Sequence, residues 1–257
     1  MPLADLVKLV RKNIKKEQQN ALPNGLICLK GGELQHEILP FRNQALSLEL
    51  GDYFKEEFFK TKKSCIRAIM IHVKRFEFNY FSVNTYLLYD KTGEAVLIDC
   101  GCMNQREEEE LKAFIDENKL TLKRLLCTHL HLDHVFGNSF ITQTYGLEPE
   151  AHKADTELLP SAEEQAKAFG LSMKGKSGQV NHFITVGEAI HFGESTLTSL
   201  HVPGHSPGSL VFYSEESNLA ITGDTLFAGS IGRTDLWAGN QAILLAAIRN
   251  KLLALPD

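Results

Sequence analysis

Apolar residues recur along the chain with two periods, and the changes from one to the other mark out the elements. Leu6, Val7, Leu9, Val10 and Ile14 fall on one face of a helix predicted over 6–17, with lysines opposite. A turn at Pro23, Asn24 and Gly25 leads into a short apolar run, 26–30, that ends at Gly31 and Gly32 and reads as a strand. Alternation over 73–81, 84–89 and 95–99 predicts a meander of strands, with a turn at Lys91, Thr92 and Gly93. Helical spacing returns over 107–118, where Leu111, Phe114 and Ile115 share a face and Glu107 to Glu110 sit at the positive end. The run 122–127 reads as a buried strand. Helices over 134–145 and 155–169 follow, with a short strand at 148–152 between them. Beyond Phe183 the period is again two, giving strands at 190–192, 197–201, 210–213 and 219–222, broken by Gly193 and by Glu215, Glu216 and Ser217. A last helix, 241–253, buries Ile243, Leu244, Ala247, Ile248 and Leu252. Two strand groups, each with helices, predict an α/β fold: two sheets facing each other with helices outside, a four-layered αββα sandwich.

Composition narrows the class. A chain of 257 residues with 43% hydrophobic content can bury a sizeable core. No apolar run approaches the ~18 residues of a membrane span, and the start, Met1 to Asp5, lacks the charged-then-apolar order of a secretory signal, so a cytoplasmic location without membrane contact is expected. Cys28, Cys65, Cys100, Cys102 and Cys127 are odd in number and form no CxxC pair, which argues against a disulfide framework or a zinc ribbon. Buried thiols are the simpler reading, ahead of a redox pair at Cys100 and Cys102.

The net charge of -5 hides an asymmetry: residues 1–69 carry 12 Lys+Arg against 8 Asp+Glu, and residues 70–257 carry 15 against 24. A domain boundary at 69/70 is expected, with 1–69 a partial appendage. The acidic part is a poor candidate for nucleic acid. The sequence sets no oligomeric state.

The densest chemistry lies at 128–137 (Thr-His-Leu-His-Leu-Asp-His-Val-Phe-Gly), which packs three histidines and an aspartate into six residues after the strand at 122–127. Imidazole and carboxylate suit zinc or iron, and His129 and His131, two apart in extended chain, project from one side of the backbone. Asp133 and His134 then point elsewhere. Two adjacent ions sharing one loop are the more economical arrangement.

This stretch resembles the His-x-His-x-Asp-His signature of the metallo-β-lactamase-fold hydrolases. His201-Val202-Pro203-Gly204-His205-Ser206-Pro207-Gly208-Ser209 looks like that family's second histidine motif, and Gly223-Asp224-Thr225-Leu226-Phe227 like its bridging-aspartate motif. Ser230-Ile231-Gly232-Arg233-Thr234-Asp235 is similar to a segment of the glyoxalase II-like branch, hydroxyacylglutathione hydrolase-like enzymes. The resemblance covers Met70 to the end. It implies the αββα fold and a first ion on His129, His131 and His205. It implies a second ion on Asp133 and His134, bridged to the first by Asp224, with Asp133 and Asp224 as the catalytic carboxylates. Two zinc ions are expected, with iron or manganese as substitutes. Such a pair supplies hydroxide at neutral pH and polarises a carbonyl, and the glyoxalase II-like segment tilts the substrate toward a small-molecule thioester. Asp99 resembles the aspartate that supports the metal loop. Arg233 reads as pairing with Asp235 before it reads as touching substrate. His36, His72, His152, His182, His191 and His201 read as ordinary surface or core residues.

The family's last metal histidine, in a Pro-Gly-His-Gly-type turn, is expected beyond the final helix, and this sequence ends before it. The resemblance therefore implies one tightly held ion and a weak second site. It leaves open a one-iron persulfide dioxygenase and a truncated fusion product without turnover. Residues 1–65 resemble the C-terminal end of the small-subunit rRNA guanine-N7 methyltransferases, through Ala21-Leu22-Pro23-Asn24-Gly25 and Leu29-Lys30-Gly31-Gly32.

Overall fold

Alternation of buried and exposed side chains from His72 onward builds a first sheet, and a second follows from Ala189. The computed structural model describes residues 45–48, 65–68, 71–171, 173 and 177–255, and the chain divides between Met70 and Ile71 into two units. In the first unit β1 (Ala45–Leu48) pairs antiparallel with β2 (Cys65–Ala68). The helix expected over 6–17 and the strand over 26–30 lie outside the described residues.

In the second unit β3 (His72–Phe78), β4 (Val83–Tyr89) and β5 (Glu94–Ile98) form the antiparallel meander. The strand expected to reach Phe81 stops at Phe78, because Asn79 and Ser82 both take left-handed backbone (φ 57° and 55°) and turn the chain. Helix α1 (Gln105–Glu117), capped by Asn104 through the Glu107 N–H, carries the chain across to β6 (Thr121–Leu126), which runs parallel to β5. The metal-rich stretch follows as α2 (Leu132–Val135) and α3 (Asn138–Tyr145). One helix over 134–145 was expected. The break falls at Gly137, whose N–H leaves the helix to donate to Cys100 O at 2.8 Å.

β7 (Pro149–Ala151) adds in parallel, and α4 (Lys153–Leu158) and α5 (Ala162–Ala168) replace the single helix expected over 155–169. Pro160 cannot continue a helix, and Ser161 with Glu164 forms a capping box that restarts it. β8 (His182–Phe183) closes the six-stranded sheet.

β9 (Ala189–Phe192), β10 (Ser195–His201), β11 (Leu210–Ser214) and β12 (Leu219–Ile221) form the second, antiparallel sheet. A two-stranded hairpin, β13 (Leu226–Phe227) with β14 (Ser230–Ile231), is too short to show alternation and was not expected. Helix α6 (Gln241–Ala247) continues as a π-turn, Ile248–Leu252, rather than as regular helix.

The layers follow from where each strand sends its side chains. Leu88, Val96, Ile98 and Leu126 meet Ile190, Phe192, Leu197, Leu210 and Phe212 between the sheets. Leu87, Ala95, Leu97 and Leu125 face the other way, onto Leu111 and Ile115 of α1 and Ile141 of α3. Val211 of β11 and Val202, just after β10, pack on Leu244, Ala247, Ile248 and Leu252. This is the expected αββα sandwich. At one end Asp90 locks the sheets together: its Oδ2 accepts from Glu194 N at 2.6 Å and Ser195 Oγ at 3.1 Å, and its Oδ1 accepts from Thr92 N at 2.9 Å. At the other end lie the turns after β5, β6, β10 and β12. Among the described residues no helix is long and apolar enough to cross a membrane.

Candidate metal centre

The turns at that end bring all six candidate ligands together. β6 ends at Leu126, and the extended residues before α2 stack the rings of His129 and His131 edge to face, 4.7 Å apart. His205 comes from the turn after β10, and its ring lies 4.7 Å from that of His129 and 4.6 Å from that of His131. All three are buried.

Hydrogen bonds decide which nitrogens are free. His205 Nδ1 donates to Arg233 O at 2.7 Å, which leaves Nε2 without a proton. Thr128 Oγ1 gives its one proton to Asp99 Oδ2 (2.6 Å), so it accepts from His129 Nδ1 (3.0 Å) and leaves His129 Nε2 bare. Those two bare Nε2 atoms stand 3.1 Å apart, and His131 Nδ1 lies 2.9 Å from His205 Nε2. Burial and the neighbouring imidazoles hold His129 well below the usual histidine range and take His131 down to about 3, while burial lowers His205, so the three rings are neutral at pH 7. The facing lone pairs of His129 Nε2 and His205 Nε2 repel at this distance unless a cation lies between. Nitrogens about 2.0–2.1 Å from a tetrahedral ion would be spaced roughly 3.4 Å apart, so the cluster fits one with slight opening.

A second position begins at His134. Its Nδ1 donates to Asp99 Oδ2 at 3.0 Å, and its Nε2 is buried without a well-formed hydrogen bond, 3.3 Å from Asp224 Oδ1 and 3.8 Å from Asp133 Oδ2. Burial pushes His134 down, yet Asp99, Asp224 and Asp133 outweigh it and raise it well above the usual range. The same negative charge favours a cation at Nε2. Burial raises Asp133. Burial also opposes the charge on Asp224, but His134, His205 and His131 hold it below the usual carboxylate range. Asp224 Oδ2 is 3.8 Å from His205 Nε2, so its two oxygens face the two donor groups. Glycine permits this approach: a side chain at Gly223 (φ 50°) would collide with Thr128 Oγ1, and one at Gly232 with Asp224 O.

Asp99, His129 and His134 also gather closely enough to hold an ion. The bonds favour another role for Asp99. Its Oδ1 accepts from Thr128 N (2.7 Å) and its Oδ2 from Thr128 Oγ1 and His134 Nδ1, so it fixes ring orientation and loop path. This is the supporting position expected for it.

Three residues that shape the site were not singled out in the sequence. Asn79 Nδ2 donates to Gly101 O and Asp133 O, both at 2.9 Å. Gln165 accepts from Leu132 N (3.1 Å) and donates to Leu130 O (3.0 Å). Buried Asp155 joins the two histidine loops, accepting from Leu130 N (3.0 Å), Ser206 Oγ (3.0 Å) and Gly208 N (2.5 Å). Its only sequence signal was an acid in a first helical turn. Burial takes its pKa up to about 6, against ~3.9 for an unfolded aspartate, so its ionisation costs stability as pH rises between those values. Asp155→Ala strands two buried N–H groups and is expected to lose about 2–4 kcal/mol. Thermal melts should show it, and an unchanged midpoint would remove Asp155 from this linking role.

The remaining candidates lie elsewhere. Arg233 forms a two-pronged exposed pair with Asp235, both contacts 2.7 Å. His152 stacks on His201 at 4.2 Å and accepts from Ala154 N, which places it outside both donor groups. Cys100, Cys102 and Cys127 are buried free thiols.

Residues 79–256 match the model of the metallo-beta-lactamase superfamily. Hydroxyacylglutathione hydrolase GloC of Haemophilus influenzae is 39% identical over 178 residues, covering 69% of this chain and 82% of that protein. TTHA1623 in a di-iron-bound form superposes with a TM-score of 0.62 at 33% identity, over 72% of this chain and 87% of that one. A separate stretch of 63 residues is 86% identical to the ribosomal RNA small subunit methyltransferase G of Parabacteroides distasonis, covering 24% of this chain and 27% of that protein.

Proposed function

The chain belongs to the metallo-beta-lactamase superfamily and is a metallo-hydrolase, and we propose that the bond it cleaves is the thioester of an acylated small thiol such as glutathione. The observation that carries hydrolysis by a pair of ions is Asp224, with one oxygen toward His134 Nε2 and the other toward His205 Nε2. His129, His131, His205 and Asp224 would hold a first ion, and Asp133, His134 and Asp224 a second, with zinc, iron and manganese all compatible with such donors. When bound, such a pair makes water nucleophilic at neutral pH and polarises the carbonyl under attack.

The chain's own groups set the conditions. Neutral His129, His131 and His205 offer lone pairs, Asp99 and Arg233 O fix the rings of His134 and His205, and charged Asp224 would balance the cations. The choice of a thioester is supported by the likeness to GloC, which is named a hydroxyacylglutathione hydrolase. Residues 70–257 are proposed as the hydrolase unit, acting in the cytoplasm without nucleic acid or membrane. The segment before it, which matches about a quarter of a methyltransferase, is assigned no activity of its own.

Loading the protein separately with zinc, iron and manganese, then following thioester cleavage and oxygen uptake with a persulfide, tests the reading. Thioester cleavage is expected. Oxygen uptake without cleavage, or no turnover with any metal, would overturn it.

A further inference from the structure

Three aromatic side chains from separate loops form an edge-to-face array that starts at the metal centre. Trp237 lies 6.2 Å from His131, ring centre to ring centre. Phe169, just after α5, meets Trp237 at 5.8 Å and 88°, and Phe81, in the β3–β4 turn, meets Phe169 at 6.5 Å and 69°. None of the three belongs to a core cluster. Phe81 and Phe169 are 45% and 44% exposed, and Trp237 is half-buried. Apolar area left in water forgoes about 25 cal/mol per Å², so packing alone does not account for three large rings held at this surface.

The backbone beside each ring is also tied, directly or through a neighbour, to the loops that carry the candidate ligands. The Phe81 N–H donates to Asn79 Oδ1 (2.9 Å), and the same Asn79 side chain is anchored on Asp133 O. The Phe169 N–H donates to Gln165 O (3.2 Å), and Gln165 bonds Leu130 and Leu132 on either side of His131. Trp237 lies between Asp235 and Asn240, and Asn240 N donates to Gly204 O (2.7 Å), next to His205. The segments that bear the three rings are thus positioned relative to the candidate ligands, and the rings meet one another edge to face.

We propose that Phe81, Phe169 and Trp237 form the subsite for an aromatic or long apolar acyl group, so that the thioester cleaved carries such a group next to its scissile carbonyl. This rests on the hydrolase reading for its reaction but not for its binding. Edge-to-face rings offer a wall that a phenyl or alkyl arm can extend, with its carbonyl end toward His131.

Trp237 is the single tryptophan of the chain, so intrinsic emission reads the array directly. The full-length, metal-loaded protein would be titrated with 4-phenylbutyrate and with acetate, which share the carboxylate and differ in the arm. A saturable change in emission is expected at concentrations at least about 10-fold lower for phenylbutyrate, and Phe81→Ala and Phe169→Ala should each weaken it about 5–10-fold. The ratio of kcat/KM for phenylacetyl over acetyl thioesters of one thiol should fall by a similar factor in both variants. Equal affinity for the two acids, or unresponsive emission, would overturn the subsite while leaving thioester hydrolysis standing. A dimer in sedimentation whose formation alone shifts the Trp237 emission would also overturn it, by giving the array to a second copy of the chain. Preferential phenylbutyrate binding without any thioester turnover would uphold the subsite and count against the reaction.

Discussion

Asp224→Ala is expected to lower kcat on a thioester by about three orders of magnitude, with a much smaller change in KM. Asp224 is the only side chain among the described residues whose two oxygens face both donor groups, His134 Nε2 at 3.3 Å and His205 Nε2 at 3.8 Å. Its removal takes away the charge that would offset two closely spaced cations, and the loss would fall on the second position, where His134 and Asp133 remain. Metal analysis should therefore show a drop in bound metal together with the lost turnover. Turnover equal to that of the parent protein would take Asp224 out of the bridging role.

The second large effect is expected from Asp99→Ala, and it should appear in stability before activity is measured. Asp99 is buried in a left-handed backbone conformation (φ 57°) that few residues adopt, and it accepts from Thr128 N, Thr128 Oγ1 and His134 Nδ1. Alanine strands those donors inside the protein, at about 3–5 kcal/mol in total. It also frees the His134 ring to turn, which should weaken metal affinity about 10–100-fold. Denaturant unfolding and competition with a chromogenic chelator measure the two losses separately. Full affinity at unchanged stability would show that Asp99 only fills space.

The candidate ligands were legible because they are close in sequence or sit in short, unusual motifs, and the structure brings all six to one end of the sheets. The strands were legible for a different reason: each buries one face against the opposite sheet or a helix, so alternation survives in the sequence, as in β4 and β10. Helix ends were less so. Apolar spacing runs straight through Leu159, Pro160 and Ser161, and only the proline with its capping box shows that α4 and α5 are separate. The residues that hold the site from behind left almost no trace. Asn79, Asp155 and Gln165 act on backbone 54, 25 and 35 residues away, distances at which no local pattern operates.

The donors that face one another come from His129 and His131 on one side and from His205 on the other, up to 76 residues apart in the chain, and the turns that bear them belong to opposite sheets. A cation seated among them would therefore act as a rivet between the sheets, and the unfolded chain, in which His205 is 76 residues from His129, would hold it less tightly. Its contribution is present in the folded molecule and absent until both sheets have docked, so it acts on the way out of the fold and hardly at all on the way in. In stopped-flow measurements, adding a chelator should leave the refolding rate where it was and shorten the lifetime of the folded protein.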